Sequence, residues 1–146
     1  ILTIGPTAIE RRHPHPQVGW SGSTDTVDER MRSILEWCYA HGIRTLYSCQ
    51  GDAGLSEEPR NAYIRFADCN SGEAFFAMCV HLVSDDHELR DRILNADQAG
   101  HPTPRAWGWT LTANGRSVGP RRPGLEPTVY FAAADVHRLS GLLENE

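Results

Sequence analysis

Apolar side chains at Val27, Met31, Ile34, Leu35 and Cys38 recur at intervals of three and four, which gathers them on one face of a helix. Thr26 and Glu29 have the spacing of a capping box, and Gly42 supplies a left-handed stop, so a helix is expected over 26–41. Upstream, residues 1–25 contain Pro6, Pro14, Pro16, Gly19 and Gly22 and follow neither the helical nor the strand period. They read as an irregular arm anchored by Trp20.

Downstream of Gly42, the segment 43–47 is short and apolar-rich, a pattern that suits a strand buried on both faces. It delivers Ser48-Cys49-Gln50-Gly51 to its C-terminal end. After a polar loop, AYIRFAD alternates Ala62, Ile64 and Phe66 with Tyr63, Arg65 and Ala67, a second strand antiparallel to the first. Asn70 or Ser71 can cap a helix running to Val83, with Phe75, Phe76, Cys79, Val80, Leu82 and Val83 on its apolar face. Asp85 and Glu88 have capping spacing for a shorter helix carrying Leu89, Ile93 and Leu94 and ending near Asn95.

Trp107, Trp109 and Leu111 share one face of a further strand, and Asn114-Gly115 is a strong hairpin signal leading to a weak strand. TVYFA predicts the last strand, and Asp135 the cap of a helix bearing Val136, Leu139, Leu142 and Leu143. AYIRFAD and TVYFAAAD both run from a Tyr/Phe strand into a helix start, a likeness that duplication or common strand chemistry explains equally. The order of elements implies an α+β fold in one domain, a single layer of mainly antiparallel sheet packed by about four helices.

Composition narrows the partners. The 146 residues carry a formal charge of -5, which disfavours general nucleic-acid binding because a phosphate backbone demands basic surface. No apolar run reaches the roughly 20 residues that span a bilayer, and the opening residues lack a secretory pattern, so a soluble cytoplasmic protein is expected. Cys38, Cys49, Cys69 and Cys79 include no Cys-x-x-Cys pair, and Cys38 and Cys79 fall on apolar helix stripes. Reduced thiols are the expectation.

The Ser48–Gly51 cluster is the leading site candidate. Gly51 lets a ligand approach the backbone, while Ser48, Cys49 and Gln50 offer a hydroxyl, a thiol and an amide. Alternatively, Ser48 and Gln50 satisfy the turn and Cys49 fills a core gap. Were Cys49 a nucleophile, a base would be required, and His13, His15, His41 and His81 are the candidates. His13-Pro-His15 also has the spacing of two ligands to one metal ion, without a third at a recognisable interval. No metal is expected from it. Arg105, Arg116, Arg121 and Arg122 suit phosphate or carboxylate recognition, with Trp107 and Trp109 as stacking faces, or form a solvated basic loop beside core tryptophans. Arg65, inside a strand, needs either a wet pocket or an acidic partner.

The run GIRTLYSCQG followed by NAYIRF resembles a group of small bacterial and phage proteins with a helix, a Thr-x-x-Ser-Cys-x-Gly segment and a Tyr-Ile-x-Phe strand. It is distantly similar to the tRNA wybutosine-synthesising methyltransferase family, whose Thr-x-Ser-Ser-Cys-Ser-Gly-Arg segment also follows a helix and ends a strand. Thr45, Ser48, Cys49 and Gly51 carry the similarity over about 40 residues; Tyr47, Gln50 and Asp52 stand where that family has Ser, Ser and Arg. The resemblance implies a nucleotide-like ligand and, for the methyltransferase reading, S-adenosylmethionine as cofactor.

The leading expectation is therefore a small-ligand-binding protein for a nucleotide or nucleotide-derived signal, with no resident cofactor. Its contacts would come from Tyr47, Ser48, Cys49, Gln50, Gly51, Tyr63, Arg65, Trp109, Arg121 and Arg122. From the resemblance alone, such a protein would sequester a defence messenger for a phage or its host. Two alternatives stand beside it: an enzyme, either a methyltransferase or a Cys49-dependent hydrolase or transferase, and a protein-interaction domain docking through the proline-rich arm.

Overall fold

The computed structural model describes residues 15–51, 60–98, 106–113 and 125–144. Strand alternation decides the middle of the molecule. β1 (Gln17–Trp20) and β2 (Ser23–Asp28) form a hairpin, followed by a 3-10 turn (Glu29–Met31), α1 (Arg32–Ala40), β3 (Thr45–Cys49) and β4 (Ala62–Phe66). Then come α2 (Cys69–Leu82), α3 (His87–Leu94), β5 (Asp97–Gln98), β6 (Gly108–Ala113), β7 (Leu125–Phe131) and α4 (Ala133–Glu144). This is an α+β fold with four α-helices among the described residues. The main sheet has the order β3-β4-β7-β6-β5, antiparallel except for the β5–β6 pair. No helix among the described residues is long and apolar enough to cross a membrane.

Register separates the two faces of that sheet. Ser48, Ile64, Val129 and Trp109 lie in one row, Cys49, Tyr63, Tyr130 and Gly108 in the next. Because neighbouring positions on a strand point to opposite faces, the rows face opposite ways. Ile64 and Val129 are fully buried in the core with Phe66, Phe75, Cys79, Leu89 and Phe131, so the first row faces the helices. Cys49, Tyr63 and Tyr130 therefore look away from them. Gly42 ends α1 at φ +72°, the left-handed stop its position predicts.

Several expectations change. Residues 17–28, expected to divide between an irregular arm and a helix start, form the hairpin, and the Thr26 hydroxyl donates to Gln17 Oε1 at 3.1 Å instead of capping a helix. A hairpin places the short polar side chains of STDT at its solvated positions, so propensity yields to pairing with β1. β3 is shifted two residues later than expected and is an edge strand, not one buried on both faces: Leu46 and Tyr47 are exposed, and the register slips between Thr45 and Tyr47. Such an irregularity is a common way to blunt a sheet edge. The α2 cap is Asp68, whose carboxylate accepts from Ser71 N at 2.7 Å, and the α3 cap is Asp86, accepting from Leu89 N at 3.1 Å. β6 pairs directly with β7; the Asn114-Gly115 turn and the weak strand after it lie outside the described residues.

Asp135 was expected to cap α4 but lies within its first turn, with its carboxylate turned to tertiary use. It accepts from Arg92 Nε and Nη2 at 3.0 and 2.7 Å and from Trp107 Nε1 at 2.9 Å, at 1% exposure. That carboxylate, with Glu88 beside it, holds the Arg92 guanidinium above its ordinary pKa. All four cysteines carry free thiols; burial pushes Cys38 up to about 12 and Cys79 well above the ordinary thiol value.

Replacing Asp135 by alanine leaves a guanidinium and an indole N–H without their acceptor, and denaturant titration is expected to show a loss of about 3–5 kcal/mol. Asp86→Ala removes a cap and an ion pair to Arg138, at a cost of about 1 kcal/mol near neutral pH. The Leu89 amide first, and Arg138 with it, lowers the Asp86 pKa. A depressed carboxyl stabilises the fold above its unfolded value and loses that contribution as pH falls through the folded one. The deficit of Asp86→Ala relative to the native protein should accordingly shrink on acidification below the ordinary aspartate range.

Candidate functional site

Three chain segments converge where β2 and β3 end. Asp28, the last residue of β2, is only 8% exposed, and a carboxylate so enclosed must be met by donors. Gln17 Nε2 donates to Oδ1, Gln50 N donates to Oδ2 at 2.9 Å, and His15 Nδ1 lies 3.0 Å from the same Oδ2. Gln50 is buried, and its side-chain oxygen accepts from Arg30 N at 3.2 Å. The amide of Gln50 thus serves the backbone just after β2, and its main chain serves Asp28.

Gly51 completes the turn at φ +67°. A Cβ there would stand 2.6 Å from Ala62 N and from Arg60 O, so both conformation and space require glycine. Its amide points at Cys49 Sγ, 3.4 Å away. Burial pushes the Cys49 thiol above its usual pKa; the Gly51 amide and Arg60 pull against that, and the charge and hydrogen bond of Asp28 add to it. Tyr63, beside Cys49 on the same face, is likewise raised, first by burial and then by the proximity of Cys49 and Asp28.

Outside this knot, a groove of about 770 Å³ runs between the hairpin and the free edge of β3. Leu35 and Ile43 line it from the core, with Trp20, Tyr39, Tyr47 and Tyr63 as aromatic surface and Asp25, Thr26, Arg44, Thr45 and Ser48 as polar groups. The hairpin is held against α1. Ser21 donates through N and Oγ to Glu36 at 2.6 and 2.8 Å, and Trp20 meets Tyr39 edge-on with centroids 6.2 Å apart. The Ser21 amide, followed by its hydroxyl, lowers the Glu36 pKa.

Of the residues singled out in the sequence, Tyr47, Ser48 and Tyr63 line the groove, and Cys49, Gln50 and Gly51 stand behind its inner end. Arg65 shares the face of Tyr63 but pairs with Glu126 at 2.7 Å, the acidic-partner alternative. Trp109 is on the helix-side face, lining a separate apolar hollow of about 260 Å³ with Phe76 and Leu111, so the sheet lies between it and Cys49. Arg121 and Arg122 lie outside the described residues, as do His13, Arg105 and Arg116. Among the candidate bases, His41 Nδ1 bonds Trp37 O at 2.8 Å and His81 is an exposed residue of α2; His15 is the one brought to Asp28 and Cys49.

Asp28, Trp20 and Tyr39 are additions that sequence reading missed as site residues. Asp28 carried no motif, since its partners stand 11, 13 and 22 positions away. No protein-family model matches the chain, and no curated protein or solved structure matches it.

Gly51→Ala should lower the melting temperature by an amount equivalent to at least about 1–3 kcal/mol, since the strained φ and the close contact add. At neutral pH, Cys49 should alkylate more slowly than free cysteine, mapped by mass spectrometry, with the rate rising only above the ordinary thiol range.

Proposed function

We propose that the protein binds a small flat polar ligand, of the nucleoside or nucleotide class, in the groove between the hairpin and β3. The carrying observation is that Tyr39 and Tyr47, 56% and 64% exposed, stand on a groove of the volume that small-molecule sites have, about 300–1,000 Å³. Large exposed aromatics beside a concave surface offer a stacking face to any base, because every base has a π-face. The hydroxyls of Thr45 and Ser48 and the carboxylate of Asp25 provide partners for base edges or ribose hydroxyls.

Charge limits the phosphate content of that ligand. Arg44 is the cation among the described lining residues, 75% exposed and only loosely paired to Asp68 at 3.7 Å, while Asp25 and Asp28 are acidic. A nucleoside or a monophosphate fits this balance better than a polyphosphate. Binding without turnover goes with the sequestration of a nucleotide-derived signal. The enzymatic alternative draws on one observation, the closeness of His15 to Cys49, and is opposed by the burial that raises the pKa of that thiol.

Isothermal titration of the full chain against nucleosides, nucleoside monophosphates and S-adenosylmethionine tests the reading. A saturable heat is expected for a member of the first two groups, with affinity falling about 5- to 150-fold in Tyr47→Ala, the equivalent of one lost stacking contact of about 1–3 kcal/mol. Absence of binding across the panel, or affinity unchanged in both Tyr47→Ala and Tyr39→Ala, would sink it. Product formation abolished by Cys49→Ala would move the protein to the enzymatic reading.

A further inference from the structure

The knot at the inner end of the groove brings an imidazole, a carboxylate and a thiol together. One ligand atom each from His15, Asp28 and Cys49 lies within 4.8 Å of the other two. Imidazole nitrogen, carboxylate oxygen and thiolate sulfur are the three donor types that zinc takes, at roughly 2.0–2.3 Å. Two such ligands at a tetrahedral angle stand roughly 3.3–3.5 Å apart. His15 Nδ1 and Asp28 Oδ2, now 3.0 Å apart, need to open by only a few tenths of an ångström. We propose that His15, Asp28 and Cys49 form a mononuclear zinc-class site with its remaining coordination position toward the groove.

Several features beyond the three donors fit this assignment. The carboxylate is already aimed: Gln17 Nε2 holds Oδ1, Thr26 Oγ1 holds Gln17 in turn, and Gln50 N holds Oδ2. Such outer partners orient metal ligands and tune their basicity. Gly51 N–H is directed at the cysteine sulfur 3.4 Å away, which fixes the side chain within the turn. Charge also balances, because a divalent ion with one carboxylate, one thiolate and a neutral imidazole makes a neutral centre in a half-buried place.

Ligand chemistry selects among ions. A thiolate and an imidazole favour zinc or a related transition ion over magnesium or calcium, which take oxygen ligands. Binding breaks the S–H bond of Cys49, with the proton passing to solvent and the electron pair to the metal, while His15 changes tautomer so that its proton sits on Nε2 and Nδ1 offers its lone pair; no oxidant or reductant takes part. Three ligands among the described residues is the number of protein ligands that catalytic zinc sites have. The site requires only these three side chains and is independent of what fills the groove.

The test uses the full chain, stripped with a chelator and titrated with cobalt(II) and zinc(II). One ion per chain should bind, with a thiolate-to-cobalt charge-transfer band in the near ultraviolet and about one proton released at neutral pH. Cys49→Ser should lose the band while Cys69→Ser keeps it. His15→Ala and Asp28→Asn should weaken zinc by at least the roughly 10–100-fold that losing an outer partner costs, and Gln17→Ala by about that amount. Should any ligand variant fail to fold, zinc protection of Cys49 from alkylation in the native chain, mapped by mass spectrometry with Cys69 still reactive, supplies the result. A native protein without the band, a band that survives in folded Cys49→Ser, or alkylation of Cys49 unaffected by zinc would overturn the proposal.

Discussion

The carboxylate of Asp28 is the point on which the arrangement of this end of the molecule depends. It lies at the end of β2, and its donors come from three other places: Gln17 in β1, His15 before β1, and the amide of Gln50 beyond β3. A buried carboxylate must be satisfied, because an unmet charge away from water costs several kcal/mol. Satisfying Asp28 therefore joins the hairpin to the main sheet without any strand ladder between β2 and β3. The same contacts set the separation at which an open groove remains.

That separation has a consequence for the edge of the sheet. Among the described residues β3 pairs only with β4, which leaves one side of its backbone without a ladder partner there. Edge strands left flat and apolar invite association with other chains, and the slipped register between Thr45 and Tyr47 interrupts such a template. The hairpin screens part of the edge while leaving room between. A groove floored by core residues and rimmed by exposed tyrosines results from combining a blunted edge with a second, smaller sheet.

The two faces of the central strands carry different residues, and the groove at the β3 edge touches both, through Ser48 on one and Tyr63 on the other. Ile64 and Val129 face the helices and pack with Phe66, Phe75 and Phe131, whereas Tyr63, Cys49 and Tyr130 point the other way. The second buried carboxylate, Asp135, ties α3, α4 and Trp107 together on the helical side. The exposed Tyr39 and Tyr47 on the groove lie outside the buried core, whereas Leu35 and Ile43 belong to both.

Much of the fold could be read from periodicity. β4, α2, α3 and α4 follow from alternation and three-four spacing, because the apolar face of each is long enough to leave a pattern, and Gly42 marks the end of α1 by its need for a positive φ. The hairpin could not be read, since STDTVD has the polar composition of a loop and becomes a strand only through pairing with β1. Asp86 and Asp68 were displaced by short steps from the predicted caps because several adjacent residues have capping side chains and local spacing does not choose among them. By itself the sequence determined the α+β class, the helical side of the core and the importance of the turn at Gly51. Tertiary structure decided that His15 and Asp28 meet Cys49, that Trp109 lies across the sheet from it and that Arg65 is engaged by Glu126, because those relations depend on register and strand order, which no local pattern of residues encodes.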